Sequence, residues 1–166
     1  MKFFFIILFF LGCSSLEKEK PVYFINPNPP SAFEKISESI SRREVENSSK
    51  SKKVIVLNFT NIEGKEHVYG KIFAEKLTTE LVKQKKFIVL DRMVYLKKIQ
   101  EAGLSLSGNV EPLVLKKLGE ILNIDYVIVG LVLPKASGYD INCRLIDIKT
   151  GLILEAEEGF YAETND

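Results

Sequence analysis

The sequence predicts an α/β (α+β) fold, with one mixed sheet of about five strands in the element order βαβααβββ and helices packed on it. Three observations predict it. Tyr126 to Leu133 is an unbroken apolar run with several β-branched members, which suits a central strand covered on both faces. Strand-like runs at Val54–Phe59 and Phe87–Leu90 bracket a stretch of helical period, the order of a right-handed crossover between parallel strands. The chain then closes with two strand-like segments joined by short turns containing glycine, as antiparallel neighbours are.

The N-terminus precedes this fold. Met1-Lys2 and an apolar run from Phe3 to Leu11 end in Gly12-Cys13-Ser14-Ser15. The run is shorter than the roughly 20 residues a spanning helix needs, but it matches the hydrophobic region of a secretory signal peptide. Three endings compete: cleavage after small residues, retention as an uncleaved anchor, or cleavage at Cys13. Leu11-Gly12-Cys13 resembles a bacterial lipobox, which implies that residues 1–12 are a lipoprotein signal peptide and that Cys13 is lipidated. Ser14 after the cysteine, by resemblance to lipoprotein sorting rules, implies the outer membrane.

Residues 13–53 read as the lipidated start and a flexible tether. Ser, Lys, Glu, Asn and Pro dominate them, and Asn26-Pro27-Asn28-Pro29-Pro30 favours extended backbone. A freely flexible chain of about 40 residues has a root-mean-square span of about 35 Å, enough to hold a domain clear of lipid. One island interrupts the tether. Ser31 and Glu34 have capping-box spacing, and Phe33, Ile36 and Ile40 recur at helical intervals, which predicts a short helix over 32–44. It could dock on the domain as an arm or fold only against a partner; plain disorder is the third reading.

The domain proper is expected at 54–160, with 161–166 as a tail. After the first strand, Val54–Phe59, comes a polar loop, and then a helix over Tyr69–Lys83. Its Tyr69, Phe73, Ala74, Leu77 and Leu81 share one side, whereas Lys71, Glu75, Thr78 and Thr79 point away. Phe87–Leu90 is the second strand. Asp91 can cap a helix over Arg92–Ala102 that Gly103 stops. Asn109 or Glu111 begins a third helix with Pro112 in its first turn, and Leu115, Leu118 and Leu122 form its apolar stripe. Asn123 is the left-handed residue that closes this helix before the central strand, because Asn tolerates positive φ.

The rest is a meander. In Tyr139–Asp147, Ile141, Cys143 and Leu145 alternate with Asp140, Asn142 and Arg144, so one face is wet. Asp147–Gly151 is a hairpin loop with Gly151 in the left-handed position. Leu152–Phe160 pairs back, which is expected to place Glu155 and Glu157 near Arg144 and Asn142.

The sequence holds little reactive chemistry. The chain has 166 residues, 46% hydrophobic and 27% charged, with a net charge of +1, so no bulk charge draws it to nucleic acid. Gly64 to Ile72 lies between strand and helix as a phosphate-binding loop would. Its glycines stand one residue too far apart, however, and Ile72 occupies the place of the magnesium-binding Ser or Thr. His67 is the single histidine, too little for a typical zinc site. Cys143 has inward parity and reads as a small buried hydrophobe. Asp91 and Asp125 are explained by a helix cap and a strand entrance. No catalytic residue, metal or cofactor is expected.

Val54-Ile55-Val56-Leu57-Asn58-Phe59, Tyr69-Gly70 with Leu77 and Leu81, and Phe87-Ile88-Val89-Leu90-Asp91-Arg92 resemble the opening of the FlgO domain. Leu118-Gly119, Asp125-Tyr126-Val127-Ile128-Val129-Gly130, Arg144-Leu145-Ile146-Asp147 and Thr150-Gly151 resemble its second half. That domain's superfamily also holds the curli secretion lipoprotein CsgG, the penicillin-binding-protein activator LpoB and the TolB N-terminal domain. The resemblance implies a TolB-N or anticodon-binding-like fold in a flagellum-associated outer-membrane lipoprotein. Such a protein faces the periplasm and contacts an envelope protein (a flagellar, secretion or peptidoglycan-synthase component) without catalysis. It leaves a homo-oligomer open and gives no role to nucleic acid. The connections after Leu133 and Asp147 are too short for the membrane-spanning hairpins of a CsgG-like pore.

Overall fold

The computed structural model describes residues 30–42, 51–104, 106 and 112–163. Its elements are α1 (Ala32–Arg42), β1 (Lys52–Val56), α2 (Val68–Gln84), β2 (Phe87–Val89), α3 (Arg92–Glu101), α4 (Pro112–Leu122), β3 (Tyr126–Lys135), β4 (Gly138–Asp147) and β5 (Ile153–Ala162). The five strands form one mixed sheet in the order β2-β1-β3-β4-β5, with β3 at its centre. β1 runs parallel to β2 and β3, and the meander β3-β4-β5 is antiparallel. The element order, the parallel β1–β2 pair and the antiparallel meander are those that the apolar periods predict, and the parallel β1–β3 pair joins them into one sheet.

Helices cover both faces. On one, Phe33, Ile36 and Ile40 of α1 and Phe73, Leu77 and Leu81 of α2 pack over Val54, Val56, Ile128, Val132, Ile141, Cys143 and Leu145. On the other, Tyr95 and Ile99 of α3 and Leu115, Leu118 and Leu122 of α4 pack over Ile55, Leu57, Val127 and Ile148. Neighbouring β3 residues Val127 and Ile128 point to opposite faces and both are fully buried. Such doubly covered positions are why this strand reads as continuously apolar.

The island in the tether is a docked helix. Ser31 and Glu34 close a capping box, with the Ser31 hydroxyl accepting from the Glu34 N–H at 3.1 Å and the Glu34 carboxylate accepting from the Ser31 N–H at 3.3 Å. α1 lies against α2 and β5, where Gly159 has no side chain. A Cβ at that position would stand 3.0 Å from the Ala32 methyl and 3.2 Å from Ile36.

Two local departures shape the domain. The first strand is expected to run to Phe59, but the regular ladder stops at Val56 and pairing resumes at Thr60, whose N–H donates to the Gly130 carbonyl at 2.9 Å. In the break the Phe59 N–H turns to the Gly70 carbonyl at 3.2 Å, and the ring enters the core under α1 and α2. An unbroken strand would have sent it to the face of Leu57. The second departure is in β5. Arg144 pairs with Ala156 and Asn142 with Glu158, whereas Glu155 and Glu157 lie opposite Leu145 and Cys143 on the helix-covered side. An irregularity between Leu145 and Ile146 shifts the register there, and one residue of slip reverses every side chain. The expected neighbours Glu155 and Glu157 of Arg144 and Asn142 are therefore on the wrong face.

Candidate interaction surface

The described chemistry is held in structural roles. Asp91 is the N-cap of α3, its carboxylate accepting from the Met93 and Val94 N–H groups at 2.9 and 3.2 Å. His67 is not a free loop side chain but the N-cap of α2, with Nδ1 accepting from the Tyr69 N–H at 3.2 Å. Cys143 is buried, and burial pushes its thiol far up, away from the thiolate a nucleophile requires. The loop that imitates a phosphate cradle is folded on itself. Asn61 Oδ1 accepts from the N–H groups of Glu63 and Lys65, so those donors point inward. Among the described residues no three His, Cys, Asp or Glu converge as a metal site, and no helix is long and apolar enough to cross a membrane.

Of the residues singled out from the sequence, Cys13 lies outside the described residues. Asn123 has φ 50° between α4 and β3, and Gly151 has φ 71° in the β4–β5 loop. The same loop is fastened by Asp147, whose carboxylate accepts from the Thr150 N–H at 2.8 Å and the Thr150 hydroxyl at 3.0 Å. Asp125 does more than start a strand. Its carboxylate accepts from the Lys53 N–H at 2.9 Å, its N–H donates to the Lys53 carbonyl at 2.9 Å, and its carbonyl accepts from the Ile148 N–H at 3.0 Å. One residue thus brackets β1, β3 and the β4–β5 loop. Long-range backbone partners leave no local trace in a sequence.

A cluster of rings staples the two helices of one face to the meander. Tyr139 and Tyr161 are register partners on β4 and β5; Tyr69 stands 4.5 Å from Tyr139 and Phe73 5.0 Å from Tyr161, centroid to centroid. Phe33 of α1 closes the cluster at 5.4 Å from Phe73. The Tyr69 hydroxyl donates to the Glu163 carboxylate at 2.8 Å, and that bond, with a further contribution from Tyr139, pushes its pKa up to about 12.

The opposite face is covered unevenly. α3 and α4 shield Ile55, Leu57 and Val127, but along the later part of β3 the side chains Val129, Leu131 and Leu133 are only half-buried. A shallow groove crosses the strands there. It starts between Leu57, Thr60, Glu66 and Leu96, continues over Val129, Leu131 and Ile146, and opens past Asn142 and Arg144 toward Ala156 and Glu158. Farther along β5, Ile153 and Phe160 are exposed. Arg144 sits in the groove's middle, exposed and, among the described residues, without an ion pair. The alternation in Tyr139–Asp147 revealed this wet face; the apolar floor beside it was not legible.

This is a small α+β domain whose mixed sheet carries helices on both faces. Its fold is similar to the LpoB C-terminal domain from Salmonella enterica, with TM-score 0.59, 16% identity, and coverage of 76% of this chain and 95% of that one. The LpoB C-terminal domain from Escherichia coli is similar at TM-score 0.58 and 13% identity over 79% of this chain and 98% of that one. Lipoprotein GNA1162 from Neisseria meningitidis is similar at TM-score 0.54 and 18% identity over 68% and 81%. No curated protein sequence matches significantly. The chain belongs to the FlgO protein family, whose model matches residues 32–166.

Proposed function

We propose that this protein is a non-enzymatic lipoprotein, held by lipidated Cys13 at the periplasmic face of the outer membrane, that serves a flagellar or secretion-associated envelope assembly by contacting another protein. The FlgO match over 32–166 carries the envelope-assembly reading, and the lipobox-like Leu11-Gly12-Cys13 carries the anchor. Two further observations support the proposal. His67 and Asp91 serve as helix caps and Asp125 as a bracket between strands, and a half-covered sheet face lies open for contact. Residues after Cys13 would tether the domain, and α1 would receive that tether.

The LpoB-like fold favours a second reading, activation of a peptidoglycan synthase. In-cell photocrosslinking from a benzophenone amino acid at Leu131 separates the two. Capture of a flagellar or secretion component supports the first, capture of a penicillin-binding protein supports the second, and capture of neither refutes both.

A further inference from the structure

We propose that the groove over Val129, Leu131 and Ile146 receives an apolar segment of another protein that carries a carboxylate for Arg144 and basic side chains on either flank. This inference deepens the protein-contact reading and rests on it. Register fixes the site: Val129 pairs with Arg144, Leu131 with Asn142, Arg144 with Ala156 and Asn142 with Glu158, so all these side chains share one face. The order of charge across the groove is therefore acidic at Glu66, basic at Arg144 and acidic at Glu158. A complementary segment reads basic, acidic, basic.

Strands are about 4.8 Å apart, so Arg144 on β4 lies roughly one spacing from the apolar floor of β3 and one from β5. A crossing segment can thus seat an aliphatic side chain and a carboxylate together. Covering Arg144 without a partner would strand a desolvated cation, whereas a carboxylate can meet its guanidinium fork with two parallel hydrogen bonds. Other anions fit less well. A single arginine between two carboxylates lacks the run of cations that a nucleic-acid backbone needs, and Glu66 and Glu158 would repel an anionic bilayer.

The test pans the full-length protein in detergent against a randomised short-peptide phage library. Wild type is expected to enrich peptides with Asp or Glu between apolar residues. Leu131→Lys should abolish enrichment, and Arg144→Glu should reverse the selected charge to Lys or Arg. A synthetic peptide from the wild-type selection should bind Arg144→Glu more weakly by over about tenfold. Arg144 is exposed, so this variant's melting temperature should match wild type. Enriched peptides without an acid, or equal binding to Arg144→Glu, overturns the proposal. So does retention of the Cys13→Ala protein on vesicles of anionic lipid that Arg144→Glu abolishes, or a dimer in light scattering that Arg144→Glu dissolves. If Leu131 still crosslinks a flagellar or secretion component in cells, the protein-contact reading survives that failure; if it captures neither class of partner, both fall.

Discussion

The ring of Phe59 occupies the space that a side chain at Gly130 would need, since a Cβ there would stand 2.5 Å from two of the ring carbons. Phe59 is fully buried, and the carbonyl of the same residue blocks a Cβ at Gly70. The segment after β1, helix α2 and strand β3 therefore meet at one residue. Gly130→Ala is expected to cost about 2 kcal/mol or more through overpacking, and Phe59→Ala about 3–5 kcal/mol through the cavity it leaves. Urea unfolding of the single variants and of Gly130→Ala with Phe59→Leu checks the coupling: the smaller side chain should restore part of the loss, making the effects non-additive.

Tyr95 gives the domain an alkaline limit. Its hydroxyl is buried and donates to the Val56 carbonyl at 2.8 Å, and desolvation pushes its pKa up to about 12. The folded state keeps a proton that the unfolded chain releases near pH 10, so the contribution is whole below pH 10 and is lost as pH rises through about 12. Two pH units correspond to about 2–3 kcal/mol. Tyr95→Phe should lower stability at pH 8 by about 1–3 kcal/mol, because a buried carbonyl loses a donor, yet flatten the decline between pH 10 and 12. Denaturant melts at pH 8 and 11 decide it. An equally steep decline in the variant would assign the alkaline limit to another group.

The strands and helices were legible because each buries a periodic stripe. Leu115, Leu118 and Leu122 announce a helix face, and Ile141, Cys143 and Leu145 a strand face. What the sequence concealed depends on partners far along the chain. Phe59 changes face because Gly70, in the next helix, accepts its N–H. Glu155 and Glu157 turn inward because of an irregularity in strand pairing that no composition marks. The groove escaped notice for a similar reason. Whether Val129 and Leu131 are covered depends on where α3 and α4 end in space, and the continuous apolar run of β3 suggested full burial.

Cys13 tests the membrane half of the proposal. Lipidation predicts that cells fed radiolabelled palmitate label the wild-type protein and not Cys13→Ala. The variant should also leave the membrane fraction, because an acyl chain contributes about 0.8 kcal/mol per buried methylene. Cys143 provides the internal control. It is buried, so Cys143→Ala should keep the label. Label that survives Cys13→Ala would refute the lipid anchor.

The docking of α1 can be broken from either side of its contact. Ile36 is fully buried between α2 and β5, and Ile36→Ala is expected to weaken docking by about 2–5 kcal/mol. Gly159→Val attacks the same contact from the sheet: valine suits a strand, but its side chain would invade the space held by Ala32 and Ile36. Neither substitution touches the β1–β3 or β3–β4 ladders. Amide exchange followed by mass spectrometry should therefore show residues 32–42 losing protection in both variants, while Ile128 and Leu145 exchange only with global unfolding. An equal loss of protection across β3 and β4 would mean that α1 and the sheet unfold as one cooperative unit and that the helix is not a separable arm.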